Sequence, residues 1–231
     1  MTLIDIVGPV MVGPSSSHTA GAVRIGLISR RLLGEPVAEA VIYMHGSFAA
    51  TGKGHGTDRA LVAGLLGMKV DDERIPYSFK YAADRNMDFS FHTIELVDAH
   101  PNSVKLRLTG VTGKQLEIVA ASVGGGQIQI CEIDGLTANF AGNYPTLVVH
   151  NQDQPGHVMS VTTLLAHRSI NIATMQLFRD ARGGYAVMVV ECDQEIPQEA
   201  IDWLGRQEGI IKVTYLSKIG ACPGLSRPLK L

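Results

Sequence analysis

Cysteine is scarce: the 231 residues contain three, Cys131, Cys192 and Cys222, far apart and odd in number. They make neither a disulfide framework nor a closed metal site, and they fit a reduced, cytoplasmic setting. Charge is scarce as well. Asp, Glu, Lys and Arg form 18% of the chain, and the net charge is -2 with histidine neutral. No cluster of Lys and Arg reverses that balance, so there is no electrostatic case for nucleic acid. No apolar run is long enough to cross a bilayer, and no basic region precedes the apolar N-terminal residues, which argues against a membrane span and a secretory signal. What is present is a hydrophobic content of 45%, enough for a globular core, over a length that suits one large domain or two small ones.

Hydroxyls and an imidazole are concentrated in Pro14-Ser15-Ser16-Ser17-His18-Thr19, just before a helical pattern carried by Val23, Leu27 and Ile28 and closed by Gly34. Residues 15–19 are therefore predicted to form the start of a helix, where free N–H groups and the positive end of the helix dipole suit a carboxylate or phosphate. His18 adds a side chain able to move a proton near neutral pH. A cap needs only one oxygen, supplied by Ser17 or Thr19; three serines and a histidine together point to a ligand site.

A strand is predicted over 37–44. It runs into His45-Gly46-Ser47-Phe48-Ala49-Ala50-Thr51-Gly52-Lys53-Gly54-His55-Gly56-Thr57-Asp58, which reads as a second glycine-rich loop with a histidine in it. The loop feeds a helix marked by Leu61, Leu65 and Leu66 and stopped by Gly67, with Thr57 or Asp58 as N-cap. It is not a nucleotide phosphate loop: five residues separate Gly46 from Gly52-Lys53 where four are needed, and Gly54 stands where Ser or Thr should hold magnesium. The spacing of Gly52, Gly54 and Gly56 also misses the dinucleotide fingerprint. Glycine amides and Lys53 could still approach an anion, and a turn without a ligand is the competing reading.

Residues 71–90 read as irregular structure. Strands follow over 91–97, 104–109, 115–122 and 127–133, and the alternation of Lys105 and Arg107 with Val104, Leu106 and Leu108 leaves one face wet. Gly124-Gly125-Gly126 is either a sharp corner or a place where a ligand nears the backbone. A linker at 141–145 leads into strand, helix, strand, hairpin at Gly183-Gly184, strand, helix opened by Pro197, and strand, the split ferredoxin-like order. Residues 218–231 read as a flexible tail.

Two resemblances rest on these motifs. Residues 146–217 resemble an ACT domain, a small amino-acid-binding regulatory module, through His150-Asn151-Gln152-Asp153-Gln154-Pro155-Gly156 and Ser169-Ile170-Asn171-Ile172. Residues 1–143 resemble the beta portion of bacterial iron-sulfur L-serine dehydratases through the serine-histidine stretch, Thr51-Gly52-Lys53-Gly54-His55-Gly56-Thr57-Asp58 and Ser122-Val123-Gly124-Gly125-Gly126.

The resemblance implies an α+β chain in two domains, 1–143 of the serine dehydratase beta type and 146–217 of the ACT type. It implies an L-serine ammonia-lyase of amino-acid metabolism and gluconeogenesis, with a 4Fe-4S cluster on a separate cysteine-rich alpha chain and no metal on this one. His18 and His55 are then candidates for the catalytic base, and Ser15, Ser16, Ser17, Thr19, Lys53, Gly54 and Gly125 for substrate binding. An amino acid, with serine itself the candidate, is expected at Asn151, Asp153, Gly156 and Asn171, with a homodimer through either domain; ordinary loop chemistry is the competing reading there. A non-catalytic, amino-acid-sensing subunit is the alternative, as is an effector-binding anion site like that of some phosphoglycerate dehydrogenases. His92, His100, His150, His157 and His167 read as structural or surface positions, and Cys222 as an exposed thiol.

Overall fold

A computed structural model describes residues 10–218 of the chain. They form two units, the first ending at Ile130 and the second beginning at Cys131. The predicted tail and Cys222 lie outside the described residues, apart from Lys218. Among the described residues, no helix is long and apolar enough to cross a membrane.

In the first unit a π-helical segment, Ser16–Gly21, leads directly into α1 (Ala22–Leu33), and Gly34 ends the helix at a φ of 81°. β1 (Val37–Met44) follows, then α2 (Gly46–His55), α3 (Thr57–Leu65), a 3-10 turn (Ile75–Tyr77) and α4 (Ser78–Asp84). Strands β2 (Asp88–Thr93), β3 (Ser103–Gly110), β4 (Gln115–Gly124), β5 (Gln127–Ile133) and, beyond the boundary at Ile130, β6 (Leu136–Phe140) make up a sheet of order β2-β1-β3-β4-β5-β6. β1 and β2 run parallel, joined across α2, α3 and α4; β3 is antiparallel to β1 and to β4.

α1 and α3 cross on two glycines. A Cβ at Gly64 would meet the Val23 carbonyl and come within 2.7 Å of the Leu27 amide nitrogen, and a Cβ at Gly26 would meet the Leu61 carbonyl. The backbones thus touch where side chains would normally separate them, with Val23, Ile25, Ile28, Leu61 and Leu65 fully buried around the crossing.

Four expectations change. The stretch predicted as a glycine-rich loop is helical: Phe48 is fully buried and anchors α2, so tertiary packing outweighs the low helix propensity of its glycines. The cap of α3 is Gly56, at a φ of 69°, rather than Thr57 or Asp58. The irregular stretch 71–90 holds a helix, whose Ser78 hydroxyl donates to the Arg59 carbonyl at 2.8 Å and whose Phe79 stacks against Phe89 of β2. The strand expected at 91–97 starts three residues earlier, because Phe89 and Phe91 share the face that meets Phe79. β6 has no counterpart in the sequence reading. The wet face of β3 holds, with Lys105 and Arg107 both reaching Glu117 at 2.7 Å.

The second unit runs β7 (Thr146–Gln152), α5 (His157–His167), β8 (Ile172–Arg179), β9 (Tyr185–Cys192), α6 (Gln198–Gly205) and β10 (Ile210–Leu216). Its four-stranded sheet has the order β10-β7-β9-β8 with antiparallel neighbours, the ferredoxin-like arrangement that the periodicity predicts. Leu147, Val149, Met188 and Val190 pack against Val161, Leu165, Ala200 and Leu204 of the two helices.

Candidate active site

Three backbone features of the first unit converge at one end of its sheet. β1 ends at Met44 opposite Val104, and Ser103 lies opposite Ala121, so the start of α2 and the turn after β4 are neighbours. The helix start at Ser15 joins them through Gly21, whose Cβ would collide with Ser122. Gly124, Gly125 and Gly126 all have positive φ and form the β4–β5 corner, and Arg24 of α1 donates to the Gly126 carbonyl at 2.9 Å.

Ser15 is the helix cap: its Oγ accepts from the His18 amide at 3.1 Å. Ser16 and Ser17 open the helix beside it, and the buried Thr19 donates from Oγ1 to the His55 carbonyl at 3.1 Å. That bond ties the two histidine-bearing segments together. The His18 and His55 rings stand 5.0 Å apart, centroid to centroid, and Phe48 meets His18 edge-on at 5.5 Å. His18 is half-buried and His55 exposed. Desolvation lowers the His18 pKa and the neighbouring His55 lowers it further, against a hydrogen bond to the Ser47 main chain that acts in the other direction. The net effect lowers the His18 pKa and so favours the neutral ring, the form that can accept a proton.

Two residues at this corner escape the sequence reading. Ser47 Oγ and Thr51 Oγ1 both lie 3.1 Å from His18 Nε2. Ser47, Thr51 and His55 stand four residues apart, one face of a helix, and that spacing would have revealed them had the segment been read as helical. Thr57 and Ser122 are also unforeseen in kind: their hydroxyls are buried at this end of the sheet with no hydrogen-bond partner among the described residues. Lys53 and Gly54 lie within α2.

The residues expected to bind an amino acid in the second unit are divided. Asn151 lies near the end of β7, and Asp153 and Gly156 follow between β7 and α5, where Gly156 caps the helix at a φ of 105°. Asn151 donates to the Gln152 carbonyl at 2.6 Å, and its Oδ1 has no partner among the described residues. Asp153 Oδ2 accepts from Arg179 at 2.7 Å and from the Gly183 amide at 3.0 Å. Asn171 lies at the opposite end of the sheet, next to Ile172, which pairs with Cys192, whereas Gln152 pairs with Tyr185. Its side chain donates to Asp193 at 2.7 Å.

Fold and site together define an α+β chain that joins a two-histidine corner to a ferredoxin-like unit. A family model described as serine dehydratase beta chain matches residues 3–77. A Bacillus subtilis protein called probable L-serine dehydratase, beta chain, is 40% identical over 94% of this chain and 98% of its own length. The L-serine dehydratase beta chain of Peptoniphilus asaccharolyticus is 37% identical over 84% of this chain and 88% of its own. A Bacillus subtilis D-3-phosphoglycerate dehydrogenase is 27% identical over 84% of this chain but only 37% of its own. Among solved structures, the ACT domain from the GTP pyrophosphokinase of Chlorobium tepidum is 19% identical, covering 31% of this chain and 95% of that one at a TM-score of 0.27. The chain belongs to the L-serine dehydratase beta-chain family.

Proposed function

We propose that this chain is the beta subunit of an L-serine ammonia-lyase and that its two-histidine corner receives the substrate and takes its α-proton. The observation that carries this reading is the pair of imidazoles 5.0 Å apart at a helix start, one of them half-buried. Serine's carboxylate binds the opening turn at Ser15, Ser16, Ser17 and Thr19, with Lys53, Gly54 and Gly125 around it. The α-carbon loses its proton to an imidazole lone pair, the electron pair of that bond forms the double bond, and the β-hydroxyl leaves as water with the proton the imidazolium returns. The resulting enamine tautomerises to an imine, which water hydrolyses to pyruvate and ammonia.

The partner in this reading is a cysteine-rich alpha chain that carries a 4Fe-4S cluster. The described residues of this chain do not fit such a group. Among them no set of three or more His, Cys, Asp or Glu side chains could hold a metal ion. Burial raises the pKa of Cys131 and lifts that of Cys192 to about 11, which disfavours the thiolate that a cluster needs. The enzyme is cytoplasmic in this reading. Residues 1–143 form the dehydratase domain in this reading. Residues 146–217 form an amino-acid-sensing domain with Asn151, Asp153, Gly156 and Asn171 as its ligand set. Because Asn171 stands apart from the other three in one chain, the set requires a homodimer.

The test is replacement of His18 and His55 singly by Ala in the enzyme reconstituted with its alpha chain. Turnover of L-serine should fall by about a hundredfold to ten-thousandfold in the variant that loses the base. Near-normal turnover in both ends the assignment. The D-3-phosphoglycerate dehydrogenase relatives motivate a second reading, in which the corner binds a regulatory anion. It predicts a shifted serine dependence with an intact maximal rate. The higher identity and fuller coverage of the beta-chain relatives favour the catalytic one.

A further inference from the structure

Thr51 faces both histidines with different atoms. Its hydroxyl donates to the Ser47 carbonyl one turn earlier at 2.9 Å, which uses its only proton. The same oxygen lies 3.1 Å from His18 Nε2, so toward that ring it can only accept. Its main-chain carbonyl lies 3.2 Å from His55 Nδ1, and a carbonyl also only accepts. With the Thr51 proton on the Ser47 carbonyl, these contacts fit a hydrogen on Nε2 of His18 and on Nδ1 of His55. Ser47 Oγ, 3.1 Å from the same Nε2, is a second acceptor for it when its own proton turns to Thr51 Oγ1, 3.4 Å away.

We propose that Thr51 is the positioning residue of this corner, fixing His18 as the Nε2–H tautomer through its hydroxyl and His55 as the Nδ1–H tautomer through its carbonyl. The free lone pairs are thereby Nδ1 of His18 and Nε2 of His55. The catalytic use of those lone pairs rests on the function proposed above; the assignment of the protons does not. His18 and His55 approach from different segments, and one residue of α2 sets the ring nitrogen that each presents. A substrate proton moves to one of those two nitrogens, and a base that flips its tautomer presents a hydrogen where a lone pair is needed.

The experiment is nitrogen-15 NMR of the full chain labelled at histidine, at about pH 8, above the ordinary range of imidazole titration. Single His18→Gln and His55→Gln variants identify each ring by the signals they remove. The expected spectrum shows His18 protonated at Nε2 and His55 protonated at Nδ1. Thr51→Val keeps a β-branched side chain and removes the acceptor. The Nε2–H population of His18 relative to its other tautomer should fall by about fivefold, the equivalent of one hydrogen bond. His55, held by the main chain, should not change, and Thr51→Ser should restore the original spectrum. A wild-type His18 protonated at Nδ1, or a His18 tautomer ratio indifferent to Thr51→Val, overturns the proposal. If the valine variant does not fold, the wild-type spectrum and the serine variant still decide it. Because the measurement needs no turnover, a failed activity assignment and a failed tautomer assignment are told apart.

Discussion

Two helices of this chain begin beside a histidine, and the fold treats the two rings in opposite ways. At the start of α1, His18 is half-buried, held by hydroxyls on one nitrogen and flanked by a second, exposed imidazole. At the start of α5, His157 is buried, and the backbone of Gly209 closes over its ring so tightly that a Cβ there would lie 2.7 Å from Nε2. That nitrogen has no partner among the described residues. The neighbouring Asp153 is occupied by Arg179 and Gly183. Both segments are rich in residue types suited to binding. In the first unit they remain available at the end of a sheet, while in the second most are spent on holding the unit together.

The comparison breaks first, and by the largest amount, if the two histidines prove interchangeable in importance. Removing the base among His18 and His55 should cost about a hundredfold to ten-thousandfold in turnover, whereas His157→Gln should leave the turnover number within about twofold, measured below the unfolding temperature. A loss at His157 comparable to that at His18 would mean that burial does not distinguish the two corners.

A second buried imidazole sharpens the contrast through pH. His150 is 1% exposed, its Nδ1 bonded to the Tyr185 hydroxyl, and burial together with the Lys212 charge lowers its pKa to about 4. The unfolded ring titrates near 6.5, so between those values the unfolded chain binds more protons. Stability is therefore whole above about pH 6.5 and declines as the pH falls towards 4, by about 3 kcal/mol. Denaturant unfolding followed across that range should show the decline, and His150→Gln should flatten it. An unchanged slope in that variant would assign the acid sensitivity elsewhere. His18, also lowered but accessible, should instead leave its mark on the pH dependence of turnover.

The ferredoxin-like unit was legible almost strand for strand, since its apolar residues keep the two periods that separate strands from helices, and Gly183-Gly184 and Pro197 punctuate them as turn chemistry requires. In the first unit the periodic helix before Gly34 and the strand over 37–44 were equally plain. α2 was not, because Gly46, Gly52 and Gly54 argue locally for a loop and only the burial of Phe48 against the rest of the unit overrides them. Misreading that helix hid Ser47 and Thr51, whose role depends on helical spacing. His18 and His55 were identifiable by type and surroundings, but their approach to 5.0 Å is a tertiary fact that no local pattern carries. β6 is too short, with Leu136, Ala138 and Phe140 its only alternating signal, to stand out from its turn.

Open and closed surroundings also divide two glycines of the first unit. A Cβ at Gly64 would collide with the backbone of α1, which cannot move away as a side chain can. Gly64→Ala should therefore destabilise the chain by about 1–3 kcal/mol. Gly54, inside α2, has open space where a Cβ would go, so Gly54→Ala should be neutral or stabilising by about 0.5–1 kcal/mol. Thermal unfolding of both variants checks the pair. Equal effects would mean that α1 and α3 can separate without cost. Since Gly54 is also proposed to meet substrate, its variant should separate the two properties, with stability kept and the apparent affinity for serine reduced.

The smallest expected effect concerns Asp153, whose pKa is lowered as that of His150 is, yet with the opposite consequence. The Gly183 amide and the Arg179 guanidinium stabilise its carboxylate, so the folded chain holds its proton less readily than the unfolded one. A depressed carboxylate adds stability that is complete above its unfolded value near 3.8 and is lost only as the pH falls below that. Between pH 6.5 and 4 it is nearly silent, the very window in which His150 acts. Asp153→Asn keeps an acceptor for the Gly183 amide and removes the charge; Asp153→Ala removes both. Denaturation midpoints should rank wild type, Asn and Ala in descending order with narrow gaps, because the ion pair is exposed on its Arg179 side. The decline towards acid should keep the same slope in all three. If either variant flattened it, the acid response of the second unit would belong to its loop carboxylate and not to its buried imidazole.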